Sequence, residues 1–159
     1  MNRFIIIIIS IFYFTSINAQ DTINFQRALK ISKQERWEPV KIIGIYSASI
    51  LLNAIGDGLN DSNNKTNGHL LNAASIGILL GSPFIIHYDR KKWYIYLISY
   101  TSLRIGLFDM SYNKTRGLPL NFIGTTSVTD KAYTKFGGMP TFPRICFFTL
   151  GIAIPINEL

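Results

Sequence analysis

Five polar side chains stand inside or beside long apolar stretches, and they are the residues of this chain that could do chemistry. Arg104 lies within the apolar stretch 93–108. A charged group at that depth in a membrane is costly unless it is paired or solvated, so it is a functional candidate. The other candidates flank apolar stretches: Asp57, Asp61, His69 and Asp109.

The order of the apolar stretches predicts that these five side chains share one end of a helix bundle. Helices joined by short turns run in opposite directions, so the end of the first, the start of the second and the end of the third lie together. Asp57 and Asp61 follow the first stretch, and His69 precedes the second. The simplest arrangement pairs Arg104 with Asp57 or Asp109, with His69 hydrogen-bonded nearby.

This predicted polar cluster has three interpretations. It is an ion pair that fixes helix register, or a site for a ligand, ion or substrate in a membrane enzyme or small transporter. In the third, His69 joins Asp57, Asp61 and Asp109 as mixed nitrogen and oxygen ligands of a metal. The spacing of Asp57 and His69 matches no specific zinc motif. The pattern identifies neither a catalytic residue nor a cofactor.

Four apolar stretches set the predicted architecture. They cover residues 42–55, 70–86, 93–108 and 145–156. They are continuous rather than alternating, which favours helices over the strands of an outer-membrane barrel. Each is shorter than the roughly 20 residues of a full span, and Pro155 makes the fourth the weakest. We predict an all-α fold, a small polytopic membrane bundle of three to four helices.

Small residues at four-residue spacing predict where helices approach one another. Gly44 and Ala48 form a short stripe, and Ala73, Gly77 and Gly81 form a longer one. Such stripes let two backbones come close, which matters in lipid because no hydrophobic force drives helices together there.

The flanking segments complete the predicted organisation. Residues 1–19 have the positive start, apolar middle and small-residue end of a signal peptide, with cleavage expected after Ala19. Residues 20–41 are a basic amphipathic or linker segment, and residues 42–159 are the helical membrane domain. Within that domain, residues 113–143 are interrupted by Gly and Pro but rich in aromatics, which predicts an ordered loop or flap over the polar cluster.

The composition indicates a lipid environment. Charged residues make up 16% of the chain, against roughly 25% in soluble domains. The net charge is +7, but the basic residues lie beside apolar stretches, which favours membrane lipid over nucleic acid as the partner. Other membrane proteins or a second copy are further expected partners. The single cysteine excludes an internal disulfide.

Together these patterns predict a small bacterial integral membrane protein of the cell envelope, expected in the inner membrane. Its predicted role is non-enzymatic, binding a partner or lipid. A membrane enzyme or small transporter remains an alternative, as does a soluble periplasmic helical protein, because every apolar stretch is short. No phosphate-binding glycine loop, G-x-S-x-G, C-x-x-C or dinucleotide fingerprint occurs.

Overall fold

The computed structural model describes residues 37–124, 128–135 and 139–159. The predicted signal peptide, 1–19, lies outside the described residues, and so does most of the basic segment 20–41. Both stay predictions.

The described residues form five helices and no strand, which confirms the all-α prediction. The helices are α1 (Trp37–Asp61), α2 (Lys65–Gly81), α3 (Trp93–Thr115), α4 (Val128–Lys135) and α5 (Thr141–Glu158). Short 3-10 turns at Ser82–Phe84 and Arg90–Lys92 lie between α2 and α3. The helix count exceeds the predicted three to four because α4 forms inside the segment 113–143. Each long helix extends beyond or is offset from its apolar stretch, since helical backbone bonding does not stop where polar residues begin.

The four long helices run alternately up and down. A three-residue turn joins α1 to α2, and Asn63 adopts a left-handed backbone there, with φ of 66°. Asparagine tolerates that conformation better than most residues. α3 ends at a Schellman motif, in which Gly117 has φ of 69° and the Leu118 amide donates to the Asn113 carbonyl over 2.8 Å.

Glycines bring neighbouring helices into close contact at two crossings. A Cβ on Gly56 of α1 would lie 2.8 Å from the carbonyl oxygen of Gly68 on α2. A Cβ on Gly106 of α3 would lie 2.8 Å from the backbone of Phe148 on α5, and one on Gly151 would lie 2.8 Å from the Leu103 nitrogen. These positions exclude any side chain, because backbone atoms cannot move aside.

The predicted small-residue stripes are not at these crossings. Gly44, Gly77 and Gly81 have no neighbouring group of the described residues within 4 Å of an added Cβ, and Ala48 and Ala73 are exposed. The prediction that the stripes pack helices within this chain is therefore wrong. The residues that do so are other glycines and Ser49, Ser75 and Ser99.

The apolar core is small, and many large apolar side chains point outward. A cluster of Ile42, Tyr46, Ile50, Ile86, Tyr96 and Leu103 forms the core. Leu80 is 73% exposed, Phe84 93% and Phe142 74%. Exposed apolar side chains also include Leu70, Ile76, Ile85, Trp93, Leu97, Ile98, Ile145, Leu150 and Ile156. The outward surface of α2, α3 and α5 is thus largely apolar.

Replacing Gly106 with alanine is expected to destabilise the protein, whereas the same change at Gly77 is not. Both glycines lie within helices, so both substitutions bring the same gain in helix propensity, about 1 kcal/mol. Only at Gly106 does the new methyl group meet backbone, at an overpacking cost of about 1–3 kcal/mol. Thermal unfolding of both variants in one detergent checks this. Equal melting temperatures would contradict the close approach of α3 and α5.

Candidate functional site

A row of four side chains crosses the interior from α3 to α1 and α2, and we call it the polar network. Nη1 of Arg104 donates to Oδ1 of Asn53 over 2.9 Å. Nδ2 of Asn53 donates to Oδ1 of Asn72 over 3.1 Å, and Nδ2 of Asn72 donates to Oδ1 of Asp57 over 2.7 Å. Every donor points from the guanidinium towards the carboxylate, so the cation and the anion polarise the two amides in the same direction.

The structure brings Arg104 and Asp57 into one network, but not into the direct contact that was expected. Two amides separate them, and the closest partner of the guanidinium is Asn53. Arg104 also lies over the Phe108 ring, with its Cζ 4.4 Å from the ring centroid. A cation above an aromatic face is stabilised by the ring quadrupole, which helps to hold the guanidinium at this depth.

Asp61 lies at the exposed edge of the same bundle end. Its carboxylate accepts a hydrogen bond from the Tyr112 hydroxyl, and Arg116 donates to that hydroxyl over 3.0 Å. The Arg116 and Asp61 charges are 3.8 Å apart, and both side chains are more than a third exposed. Exposed pairs of this kind contribute about 0.2–1 kcal/mol, so this group is a surface feature of the helix ends.

His69 is not joined to the polar network. It is exposed on α2, and its side chain makes no hydrogen bond to the described residues. Among residues 37–124, 128–135 and 139–159, no three His, Cys, Asp or Glu side chains come close enough together to hold a metal ion. The metal interpretation of His69 with Asp57, Asp61 and Asp109 therefore has no support in the geometry.

Asp109 belongs to a second group, the arginine cluster, which contains Arg144, Asp109 and Tyr133. Arg144 is only 1% exposed, and its Nη2 lies 3.1 Å from Oδ2 of Asp109. Its Nη1 donates to the Leu120 carbonyl over 2.8 Å, and its Cζ lies 5.3 Å from the Tyr133 ring centroid. The cluster thus ties α3, α5, α4 and the segment after α3 together.

Arg144 is the partner that the sequence interpretation missed. It directly precedes the fourth apolar stretch, as Asp109 directly follows the third. Since α3 and α5 run in opposite directions, these positions meet at one end of the bundle. Burial also raises the pKa of the Tyr133 phenol, and the neighbouring Arg144 guanidinium only partly offsets that rise. Tyr133 therefore stays neutral against the cation.

A cavity lies towards the opposite end of the bundle, where α1 begins, α2 ends and α3 begins. It has a volume of about 330 Å³, and four tyrosines line it: Tyr46, Tyr88, Tyr96 and Tyr100. We call it the tyrosine cavity. No residue of the predicted site lies there, because no sequence pattern joins these four tyrosines into one group.

No protein-family model, curated protein or solved structure matches this chain.

Proposed function

We propose that this chain is a small integral membrane protein of a bacterial cell envelope that binds lipid or a membrane partner and catalyses no reaction. One observation carries the proposal: among the described residues, more large apolar side chains are exposed than are buried in the core. Soluble proteins rarely expose contiguous apolar patches above a few hundred Å², because such surfaces associate in water. A lipid environment removes that penalty.

The dimensions of the helices support the same proposal. α1 has 25 residues, which is about 37 Å at 1.5 Å per residue, against a hydrocarbon core of about 30 Å. It is the one described helix that is both long and apolar enough to cross a membrane, and only 39% of its most apolar window is buried. The exposed large apolar side chains of α1 are Trp37, Val40 and Leu51, which need an apolar surrounding.

The polar network supports a structural rather than a catalytic role for its charges. Its four side chains satisfy one another in sequence, from the Arg104 guanidinium to the Asp57 carboxylate. Ser49 and Ser75 add a second interhelical contact between α1 and α2, with their hydroxyl oxygens 2.9 Å apart. Hydrogen bonds of this kind hold membrane helices in register.

Alkaline carbonate extraction of isolated membranes tests the proposal. We expect the protein to stay in the membrane pellet, because carbonate removes peripheral proteins but not helices surrounded by lipid. If the predicted signal peptide is removed, the intact mass of the retained protein should match a chain that begins at Gln20. Release into the supernatant would contradict the proposal and favour the soluble periplasmic alternative.

A further inference from the structure

The tyrosine cavity is an open and mostly apolar pocket. Its volume of about 330 Å³ lies at the lower end of the range for small-molecule pockets. Besides the four tyrosines, Ser82, Leu79 and Leu97 complete the wall. A site of this size accommodates a headgroup rather than a whole lipid.

The four tyrosine rings form two edge-to-face pairs. Tyr46 and Tyr100 have centroids 5.3 Å apart and planes at 86°. Tyr88 and Tyr96 are 4.8 Å apart with planes at 80°. In each pair the edge of one ring covers a face of the other, and a tyrosine face left open towards the cavity attracts an ammonium group, since it carries negative electrostatic potential.

Hydrogen bonds within the protein hold three of the hydroxyls in place. The Tyr88 oxygen lies 3.3 Å from the Tyr46 oxygen and 2.9 Å from Oγ of Ser82. The Tyr96 hydroxyl accepts a hydrogen bond from the Asp89 amide over 2.9 Å. These bonds fix the ring orientations, so the cavity is preorganised and binding costs little side-chain entropy.

Positive charge follows the cavity-lining Tyr88 in the sequence. Arg90, Lys91 and Lys92 follow Tyr88 and Asp89 directly in a 3-10 turn, and Arg90 and Lys91 are exposed. Basic side chains at a membrane surface attract lipid phosphates. The Lys92 ammonium donates to the Glu158 carbonyl, which leaves Arg90 and Lys91 as the phosphate partners. A ligand that satisfies both regions carries an ammonium and a phosphate.

We propose that the tyrosine cavity binds the headgroup of a zwitterionic phospholipid, with its ammonium among the tyrosine rings and its phosphate at Arg90 and Lys91. The exposed Phe84 and Ile85, close by in the sequence, then contact the acyl chains. This inference deepens the proposed function and rests on it for the source of the ligand.

Headgroup probes without acyl chains test the cavity. The full-length protein in detergent is titrated by NMR with glycerophosphocholine, glycerophosphoethanolamine and glycerophosphoglycerol. We expect the two ammonium probes to bind and the glycerol probe to bind at least tenfold more weakly. Equal binding of all three would overturn the proposal, because only the phosphate would then be recognised.

Matched variants locate the site. Tyr100→Leu removes one ring face and should weaken glycerophosphocholine binding about tenfold, while Tyr100→Phe keeps the ring and should bind normally. Tyr94→Leu is the control, since Tyr94 lies on α3 outside the cavity lining. Equal losses in Tyr100→Phe and Tyr100→Leu, or no loss in either, would overturn the role of the rings. If Tyr100→Leu fails to fold, Leu97→Trp, which narrows the cavity from its exposed side, should abolish binding.

The two proposals fail separately. A protein that stays in the carbonate pellet but does not distinguish the probes retains the proposed membrane function and loses the headgroup site. A protein that washes out of the membrane yet prefers the ammonium probes retains the cavity as a binding site for soluble phosphodiesters and loses the lipid source.

Discussion

Replacing Arg144 with alanine is expected to lower the free energy of unfolding by about 3 kcal/mol, the lower end of the cost of breaking a buried ion pair from one side, because the Asp109 side chain is 25% exposed. The change leaves the Asp109 carboxylate without its cationic partner at 3.1 Å. It also removes the donor that holds the Leu120 carbonyl and the cation beneath the Tyr133 ring. Unfolding of the purified protein in detergent, followed by circular dichroism, measures the loss.

Arg116→Ala is the matched control for this prediction. Arg116 also pairs with an aspartate and lies near a tyrosine ring, but its side chain is 38% exposed. Solvent screens that pair, so its removal should cost less than about 1 kcal/mol. A double substitution, Arg144→Met with Asp109→Leu, should recover part of the stability, since the Asp109 carboxylate is then no longer left without its partner. Similar losses for Arg144→Ala and Arg116→Ala would contradict the burial of Arg144.

Replacing Asn72 with alanine is expected to cost about 2–4 kcal/mol. Asn72 is the one side chain of the polar network that is bonded to both Asn53 and Asp57. Its loss leaves a donor on Asn53 and an acceptor on Asp57 unpaired, and each such group costs about 1–3 kcal/mol when buried. Two such groups would cost about 2–6 kcal/mol together if they were fully buried. Asn53, Asp57 and Asn72 are only partly buried, so we expect the lower half of that range. Chemical unfolding in a fixed detergent gives the value.

Two controls on α2 separate the polar network from the helix itself. Asn67→Ala makes the same chemical change at an exposed position, and His69→Ala tests the histidine that the sequence placed in the site. Both should leave stability within about 0.5 kcal/mol of the original protein. A large effect of His69→Ala on a cellular function, in a protein of normal stability, would instead revive the membrane-enzyme alternative.

The sequence predicted the fold class from features that are local. Continuous apolar stretches of 12 to 17 residues fit helices, and all four coincide largely with α1, α2, α3 and α5. The sequence predicted the ends of the helices less well, because helical hydrogen bonding of the backbone continues through polar residues such as Asp57 and Asn113. The short helix α4 lies in the predicted flap, where its polar sequence carries no apolar signal.

The placement of polar residues was predictable, whereas their partners were not. Alternating helix directions place Asp57, Asp61, Arg104 and Asp109 at one end of the bundle, which follows from chain order and short connections. The choice of partner depends on how far each helix is shifted along its own axis. Asn53 and Asp57 are four residues apart on the same face of α1, so a shift of about one turn, roughly 5.4 Å, is enough to exchange Asp57 for Asn53 beside Arg104.

Sequence alone determined the helical class, the approximate position of each long helix and the bundle end shared by Asp57, Asp61 and Asp109. Those properties depend on composition and order along the chain. Only the tertiary structure decided that Gly56, Gly106 and Gly151 form the crossings while Gly44 and Gly77 face outward. The sequence does not distinguish a glycine at a helix crossing from one that faces outward, because the close approach depends on how two helices pack against each other. The tyrosine cavity has the same origin, since its four rings come from α1, α3 and the connection before α3 and meet only when the helices pack.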